Sequence, residues 1–420
     1  MAVAVATFLI ALGLIAAERF HRTKLALLGA AIVTLFVGEF DQEKAIESVD
    51  FNTIGLLVGM MILVYVTQQS GVYDYIAVRA GQLSKGRPFA VVLSMALTTA
   101  VLSALLDNLT TILLVVPVTF LLCDTLDIDP IPLIVIEIMA SNIGGTATLI
   151  GDPPNIIIAG HTGLSFNEFI LNLAPIVVVT LAIVIGLLYL YMRKSFQTTE
   201  ENRRYVMQLD ASASITNSTE LRRTGPVLLL TILAFFAHQQ LHIEPATVAL
   251  AGAAVALLIT TVPLEKALSN IEWPTLFFFI GLFVMVGALE ETGAIEEVAN
   301  FAKDLTGGDR TAELIGIIWI SAAGSAIVDN IPFTTAMLPV VSELQGPGGD
   351  DAYWWALSLG ACFGGNATLV AAAANVAAAG LTERAGKPLG FRAFLKIGVP
   401  VTLISVVLAT IYVWLRYVTL

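Results

Sequence analysis

Two short polar motifs interrupt long apolar stretches of this sequence, and each contains an aspartate followed by an asparagine. They are SALLDNLTT at residues 103–111 and SAIVDNIPFTT at residues 325–335. A carboxylate inside an apolar segment must be paired, protonated or bound to an ion, and nearby amide and hydroxyl oxygens can ligate a hard cation or hydrogen-bond a hydroxylated solute. Helix capping by each aspartate is the alternative explanation. The candidate residues are Asp107, Asn108, Thr110, Thr111, Asp329, Asn330 and Thr334.

Two glycine-rich segments in similar apolar surroundings share a second pattern. They are SNIGGTATLIGDPPN at residues 141–155 and GGNATLVAAAAN at residues 364–375. Because glycine costs a helix about 1 kcal/mol and proline about 3 kcal/mol, we expect each segment to unwind where it lines a cavity or is buried in protein. A purely structural kink is the alternative. The candidate residues are Asn142, Gly144, Gly145, Thr146, Thr148, Asp152, Asn155, Gly364, Gly365, Asn366, Thr368 and Asn375; the second segment has no counterpart of Asp152.

Few other residues are placed to do chemistry. Glu137 precedes the first glycine-rich segment on an apolar run, and it either faces a cavity as a proton carrier or is neutral and hydrogen-bonded within the protein. Cys123 and Cys362 are interpreted as small core residues. No histidine lies in any of the four motifs, and no HExxH pattern occurs. The sequence therefore predicts no enzyme, no metal centre and no cofactor.

The elements that position these motifs are membrane-spanning helices. The chain has 420 residues, of which 57% are apolar and 13% charged, against about 25% charged in soluble domains. Several apolar runs reach the roughly 20 residues that cross a bilayer. We predict an all-α polytopic membrane protein with about ten transmembrane helices and two re-entrant helical hairpins, whose turns lie at Asp107 and Asp329. The spans are predicted near residues 2–17, 25–38, 53–78, 131–160, 169–192, 226–241, 246–262, 275–300, 353–381 and 394–416.

The charges predict an orientation and a division of the chain. The formal net charge of −12 disfavours nucleic acid as a partner. If the interrupted segments are hairpins, most basic residues, Arg19 among them, lie on one face, which the positive-inside rule makes cytoplasmic. Both termini are then extracytoplasmic. We predict an N-terminal half at residues 1–192, a flexible, solvated cytoplasmic linker at 193–224 and a C-terminal half at 225–420.

The two halves repeat each other in sequence. The two Asp-Asn motifs are offset by 222 residues, and the two glycine-rich segments by 220. Because each half has an odd number of predicted spans, the second half must be inverted relative to the first. Inverted repeats with matching broken segments are typical of secondary transporters, whose site lies at the midplane.

These motifs resemble those of the family of arsenite permeases, NhaD-type antiporters and the melanosomal P protein, within the ion transporter superfamily. The segment at residues 140–156 carries the strongest likeness. The resemblance implies a homodimer embedded in lipid, with a scaffold and a mobile transport domain that moves as an elevator, and it leaves open an ATPase subunit as a partner. Dicarboxylate symporters of the superfamily have Ser-Asn-Thr at the hairpin tips. Aspartates at those tips here make dicarboxylate uptake less expected.

The resulting functional hypothesis is proton-coupled efflux of arsenite and antimonite across the inner membrane. Arsenite is an uncharged trihydroxide near neutral pH, so amides, hydroxyls and backbone groups could hold it. No lysine or arginine is predicted inside the membrane to bind a multivalent anion. A sodium–proton antiporter is the main alternative, organic or inorganic anion transport comes next, and a channel stays open. Proton or ion coupling is assigned to Asp107, Asp329, Asp152 and Glu137.

Overall fold

The computed structural model describes residues 1–17 and 20–419, so the predicted placement of Arg19 lies outside the described residues. In the described part, helices joined by turns and loops are the regular secondary structure. Its α-helices are α1 (Ala2–Ala16), α2 (Arg22–Phe36), α3 (Gln42–Glu47), α4 (Phe51–Gln68), α5 (Val72–Leu83), α6 (Pro88–Leu105), α7 (Asn108–Leu126), α8 (Ile131–Gly145), α9 (Pro153–Thr162), α10 (Phe166–Met192), α11 (Glu200–Gln208), α12 (Ser218–Ala237), α13 (Pro245–Ile259), α14 (Leu264–Ser269), α15 (Trp273–Glu291), α16 (Ala294–Thr306), α17 (Arg310–Ile327), α18 (Asn330–Gln345), α19 (Ala352–Gly364), α20 (Ala373–Arg384) and α21 (Phe391–Val413). Short 3₁₀ helices occupy Arg193–Phe196 and Ala211–Ser214, and a π-helical turn occupies Trp414–Val418.

Apolar helices of membrane-spanning length confirm the predicted class of protein. Within the described residues, six helices are long and apolar enough to cross a bilayer. They are Phe51–Gln68, Pro88–Leu105, Asn108–Leu126, Phe166–Phe196, Trp273–Glu291 and Phe391–Val418, and shorter apolar helices occupy Ala2–Ala16, Ile131–Gly145 and Pro245–Ile259. The count of ten spans plus two hairpins stays a prediction.

Two of the predicted spans were wrong as single helices. The run at residues 53–78 divides into α4 and α5, and the run at 275–300 divides into α15 and α16. The breaks fall at Gly71 and Gly293, whose φ angles of +79° and +73° lie in the left-handed region. Because a right-handed helix cannot continue through that conformation, each run turns there.

The linker at residues 193–224 is largely helical and partly buried, whereas the sequence predicts a solvated segment. It contains the two 3₁₀ helices, α11 and the start of α12. Phe196 and Val206 are buried, and the Asn202 side chain donates a hydrogen bond to the Leu126 carbonyl at 3.2 Å. Apolar burial of this kind fixes the segment against the helices it connects.

The halves pack on each other through matched pairs of helices. Helix α2 packs on α15 and α13 on α4, while α7 packs on α20 and α18 on α9. The first two contacts are close enough to require glycine. A Cβ at Gly59 would lie 2.6 Å from the Ala249 carbonyl carbon, and one at Gly281 would lie 2.6 Å from the Ala26 carbonyl carbon. The packing therefore repeats at positions 222 residues apart.

Candidate functional site

Both aspartates of the Asp-Asn motifs lie at the turn between two helices and cap the second. Asp107 precedes α7 and accepts hydrogen bonds from the Thr110 backbone N–H and hydroxyl at 2.8 and 2.5 Å. Asp329 precedes α18 and accepts from the Ile331 N–H at 3.0 Å. Helix capping is thus present at both turns, and the residue that follows each aspartate begins a helix.

The glycine-rich segments unwind as predicted. Helix α8 ends at Gly145 and α9 begins at Pro153, while α19 ends at Gly364 and α20 begins at Ala373. Each break lies against the first helix of a hairpin. A Cβ at Gly144 would lie 2.5 Å from the Ala100 Cα, and one at Gly364 would lie 2.6 Å from the carbonyl oxygen of Ala322. Glycine therefore allows the broken helix to pack directly on the hairpin backbone.

Asp152 lies where the two hairpin turns meet. Its side chain is fully buried. One carboxylate oxygen, Oδ1, accepts a hydrogen bond from Asn108 Nδ2 at 3.3 Å and another from Asn330 Nδ2 at 3.1 Å. The second oxygen, Oδ2, is buried without a hydrogen-bond partner. A carboxylate held in this way has one site free for a proton or a cation.

Asn142 connects Asn108, which bonds to Asp152, to the second broken helix. Its Nδ2 donates to the Oδ1 atoms of Asn366 and Asn375, both at 3.0 Å, while its Oδ1 accepts from Asn108 at 3.4 Å. The amide nitrogen of Asn366 is buried and has no partner. One network of buried amides thus contains an unpaired donor, Asn366 Nδ2, and an unpaired acceptor, Asp152 Oδ2. The carboxylate oxygen can bind a cation, and the amide can donate to an oxygen-rich solute.

The asparagines that follow the two breaks hold them in matching ways. Asn155 Nδ2 donates to the carbonyls of Thr146 and Thr148 at 3.0 and 2.8 Å. Asn375 Nδ2 donates to the carbonyls of Gly365 and Thr368 at 2.7 and 2.8 Å. These bonds satisfy carbonyls that the unwound backbone would leave unpaired.

One threonine joins each break to its hairpin. The Thr148 hydroxyl donates to the Ala104 carbonyl, and the Thr368 hydroxyl donates to the Ala326 carbonyl. The serine at the start of each hairpin motif acts similarly: Ser103 donates to the Ser141 carbonyl at 2.8 Å and Ser325 to the Ala361 carbonyl at 2.6 Å. Hairpin and broken helix therefore form one hydrogen-bonded unit in each half.

The structure brings most of the predicted residues together, but not all of them. The Thr334 hydroxyl bonds to the Asn330 carbonyl within its own helix at 2.7 Å, and Thr111 is buried without a hydroxyl partner. Glu137 accepts a hydrogen bond from Thr119 between α8 and α7, and its second oxygen has no partner. Glu137 makes no hydrogen bond to the network around Asp152, which fits the alternative of a carboxyl bonded within the bundle.

Arg22 pairs with Asp329, which corrects the expectation that no basic side chain reaches the site. The ion pair leaves 26% of the arginine side chain and 10% of the aspartate side chain exposed, and the guanidinium lies 5.0 Å from the centre of the Phe278 ring. The pair lies on a cavity of about 520 Å³ between α1, α2, the hairpin turns and α20. Of the three states expected for an aspartate in apolar surroundings, Asp329 is therefore in the paired one.

Sequence reasoning missed three further participants. Ser358 donates to Asn155 Oδ1 at 2.6 Å, and the Cys362 thiol lies 3.8 Å from the same oxygen and beside the Asp152 carboxylate. Cys362 was interpreted only as a core residue, although its place two residues before a glycine-rich break was a usable signal. Arg22 carried no such signal, because it lies 307 residues from its partner. Among the described residues, no cluster of three or more histidine, cysteine or carboxylate side chains could hold a metal ion.

Comparison with known proteins gives consistent matches along the chain. Residues 12–360 match the family CitMHS, described as citrate transporter. An uncharacterized transporter of Mycobacterium tuberculosis is 45% identical over 427 residues, and the alignment covers 100% of this chain and 99% of the relative. The P protein of Homo sapiens is 33% identical over 492 residues, which cover 96% of this chain and 58% of the P protein. The predicted resemblance to the P protein is thus confirmed, whereas that to arsenite permeases and NhaD-type antiporters stays a prediction.

A solved structure shares the fold. The crystal structure of the Alcanivorax borkumensis YdaH transporter superposes with a TM-score of 0.61 at 16% sequence identity, covering 94% of this chain and 97% of that chain. At this identity the likeness concerns the fold alone.

Proposed function

Because this chain belongs to the CitMHS citrate transporter family, we propose that it is a secondary active transporter that couples the movement of a small solute to protons. The observation that supports this proposal is the buried Asp152 carboxylate, which meets both hairpin turns and keeps one oxygen unpaired. A proton on that oxygen neutralises a charge that would be costly inside a membrane. Loss and gain of the proton would then change how firmly the two hairpins are joined.

For the solute, we propose arsenite or antimonite, exported across the inner membrane. The network offers amide and hydroxyl groups to a neutral trihydroxide, and the Cys362 thiol beside Asp152 adds a soft ligand suited to these elements. In this proposal the proton enters as the solute leaves. Asp107 and Asp329 are secondary candidates for coupling, since both already cap helices.

A second candidate is transport of an organic anion, and one observation favours it. Arg22 borders the cavity beside the hairpin turns, and its guanidinium could exchange the carboxylate of Asp329 for a carboxylate of the solute. Sodium–proton exchange, in which Asp152 and the backbone carbonyls would ligate sodium, is the third. It requires no other solute.

We also propose that the two halves are inverted repeats and that the hairpins and broken helices move together against a scaffold, as in an elevator. The matched hydrogen bonds support the repeat. An asymmetry supports the motion. The Thr53 hydroxyl at the start of α4 and its counterpart Thr275 both bond to the carboxylate three residues earlier, Asp50 and Glu272. Among the described residues, Thr53 has an additional contact, at 3.4 Å, with the Ile156 carbonyl of α9, and Thr275 has no such contact with α20. The cavity of about 520 Å³ borders α20, and a smaller one of about 340 Å³ borders its counterpart α9. A second state would exchange these two arrangements.

Transport assays with a panel of solutes test these proposals. Everted vesicles carrying the full chain would be energised and offered arsenite, antimonite, citrate, sodium or lithium. We expect arsenite or antimonite to accumulate and the accumulation to collapse with an uncoupler. Accumulation of citrate alone would favour the second candidate, and cation exchange alone would favour the third. Solute movement that an uncoupler leaves unchanged would contradict coupled transport and indicate a channel.

A homodimer and a cytoplasmic linker are further proposals. In the same preparation, cross-linking tests the homodimer and protease access tests the side of the membrane on which the linker lies.

A further inference from the structure

A basic pocket lies where α11 of the linker meets the loop between α5 and α6. It has a volume of about 230 Å³ and is lined by Lys85, Arg87, Glu200, Arg203, Arg204 and Met207. Four bases thus surround one carboxylate, which pairs with Arg203 at 3.3 Å. The Arg203 Nε is buried without a hydrogen-bond partner. The excess of positive charge and the unpaired donor fit an anion with several oxygens, such as a phosphate group.

The backbone fixes the loop against α11 at this pocket. Lys85 and Gly86 have φ angles of +53° and +63°, so the chain reverses sharply between α5 and α6. A Cβ at Gly86 would lie 2.8 Å from the Arg203 Cα. This close approach brings bases from two distant parts of the sequence to one place.

An apolar groove of about 460 Å³ begins beside that loop and follows α6 along α10. Fourteen residues line it, all of them apolar. Leu97, Val101 and Val178 in the groove are exposed, at 43%, 58% and 64% of their surface. In a membrane, lipid chains cover such a face.

The groove and the basic pocket meet at the start of α6. Arg87 lines the pocket, and Phe89, two residues later, lines the first part of the groove. From Phe89 the groove extends along α6 to Ala104, a helical distance of roughly 22 Å. That is about the length of one lipid acyl chain, and the groove ends beside Gly144 and Ala147 of the first broken helix.

We propose that these two features together form a binding site for one anionic phospholipid. The phosphate of the headgroup binds Lys85, Arg87, Arg203 and Arg204, and one acyl chain lies in the groove between α6 and α10. On the orientation predicted from the basic residues, this lipid belongs to the cytoplasmic leaflet, whose anionic lipids attract basic segments. The bound lipid joins the linker helix to the base of the first hairpin.

Lipid retention by the purified full-length protein tests the proposal. Protein reconstituted in phosphatidylcholine nanodiscs that contain a minor fraction of phosphatidylglycerol would be released into the gas phase, and the bound lipids would be counted by native mass spectrometry. We expect the unaltered protein to retain one phosphatidylglycerol. The variant Arg87→Gln/Arg204→Gln should bind it more weakly, by about fivefold for each charge removed.

Gly186→Leu tests the groove separately. A Cβ at Gly186 meets no atom within 4 Å, so the leucine fills the groove without straining the fold, and retention should fall. The matched control is Gly316→Leu on α17, where the space is equally open. For the charge variant, the control is Arg384→Gln/Lys387→Gln, which removes two bases outside the pocket. Both controls should retain the lipid.

Two results would overturn the assignment. Equal retention by the pocket and groove variants and by their controls would show that the lipid binds elsewhere. Displacement of phosphatidylglycerol by excess inorganic phosphate, with no effect of Gly186→Leu, would identify a site for a free anion and not for a lipid.

Discussion

Asn330 donates a hydrogen bond from its side-chain nitrogen to the Asp152 carboxylate at 3.1 Å, across 178 residues of sequence. Asn108 reaches the same oxygen at 3.3 Å. The two asparagines begin the second helices of the two hairpins. One carboxylate of the first half is therefore a common hydrogen-bond acceptor for both hairpin turns, and its ionisation should affect both at once.

Asp152→Asn should abolish proton-driven transport. The amide keeps the size of the side chain, and its carbonyl oxygen can still accept the hydrogen bonds from Asn108 and Asn330, but it cannot bind and release a proton. We expect transport driven by a proton gradient to fall at least about tenfold. Uptake into everted vesicles, normalised to the amount of folded protein in the membrane, measures this. Unchanged dependence on the proton gradient would contradict the role given to Asp152.

Glu137→Gln is the matched control, because it makes the same chemical change at another fully buried carboxyl. Glu137 accepts a hydrogen bond from Thr119 and makes none to the Asp152 network. The glutamine carbonyl can accept the same hydrogen bond. We expect transport to stay within about twofold of the unaltered protein, and a loss as large as that of Asp152→Asn would restore Glu137 as a coupling residue.

Much of this site was predictable because it repeats. The Asp-Asn turns and the glycine-rich breaks occur twice at nearly constant spacing, and local chemistry decides where a helix must end. Local chemistry also explains why continuous spans were wrongly predicted through Gly71 and Gly293. An average over an apolar window is insensitive to a single left-handed glycine, although the charged residues of the amphipathic helix after each glycine were a signal that the span had ended.

The remaining features depend on tertiary packing, which one sequence does not reveal. The pairing of Arg22 with Asp329 is set by how α2 lies against the second hairpin, and no pattern within either segment specifies it. Phe196 and Val206 similarly look like isolated apolar residues in a polar linker. Their burial follows from the helices that the linker happens to cross.

Breaking the Arg22–Asp329 pair should destabilise the protein by more than the pair itself contributes. Arg22→Gln or Asp329→Asn alone leaves one largely buried charge without a partner, whereas the double variant removes both charges. A double-mutant cycle on denaturant unfolding in detergent, followed by tryptophan fluorescence, should give a coupling free energy of about 1–3 kcal/mol. The matched control is the Lys44–Glu291 pair, whose side chains are both 40% exposed. Its coupling should stay below about 1 kcal/mol, and equal values for the two pairs would contradict the prediction.

Gly144→Ala should impair folding although it adds a single methyl group. The new Cβ would lie 2.5 Å from the Cα of Ala100, and because backbone atoms cannot rotate away, the broken helix must move off the hairpin. We expect a cost of about 2 kcal/mol or more and a lower yield of monodisperse protein in size-exclusion chromatography. Gly316→Ala, at an open helical position, should be neutral or stabilising. A normal yield for Gly144→Ala would show that this packing is loose.

The asymmetry between Gly160 and Gly380 predicts contacts of a second state. A Cβ at Gly160 would overlap the Asp50 carboxylate and the Thr53 hydroxyl, whereas a Cβ at its counterpart Gly380 meets open space. If the halves exchange arrangements during transport, Gly380 must approach Thr275, the counterpart of Thr53. Cysteines at these two positions should therefore cross-link in energised membranes, and the cross-link should arrest transport until it is reduced.

The control for this cross-link lies in the other half of the chain. A cysteine pair at Thr53 and Gly160 should form a disulfide in the state described here, because the two positions are adjacent and the Asp50 side chain can turn away from the new Cβ. Each disulfide should lock the protein in one of two opposite states. The site of the proposed solute should then be accessible from one side of the membrane in one locked protein and from the other side in the other. Suppose that the Thr275–Gly380 variant transports normally but never cross-links, while the Thr53–Gly160 variant does cross-link. That result would exclude an exchange of these contacts. The cavity beside α20 would then be a fixed feature of the fold.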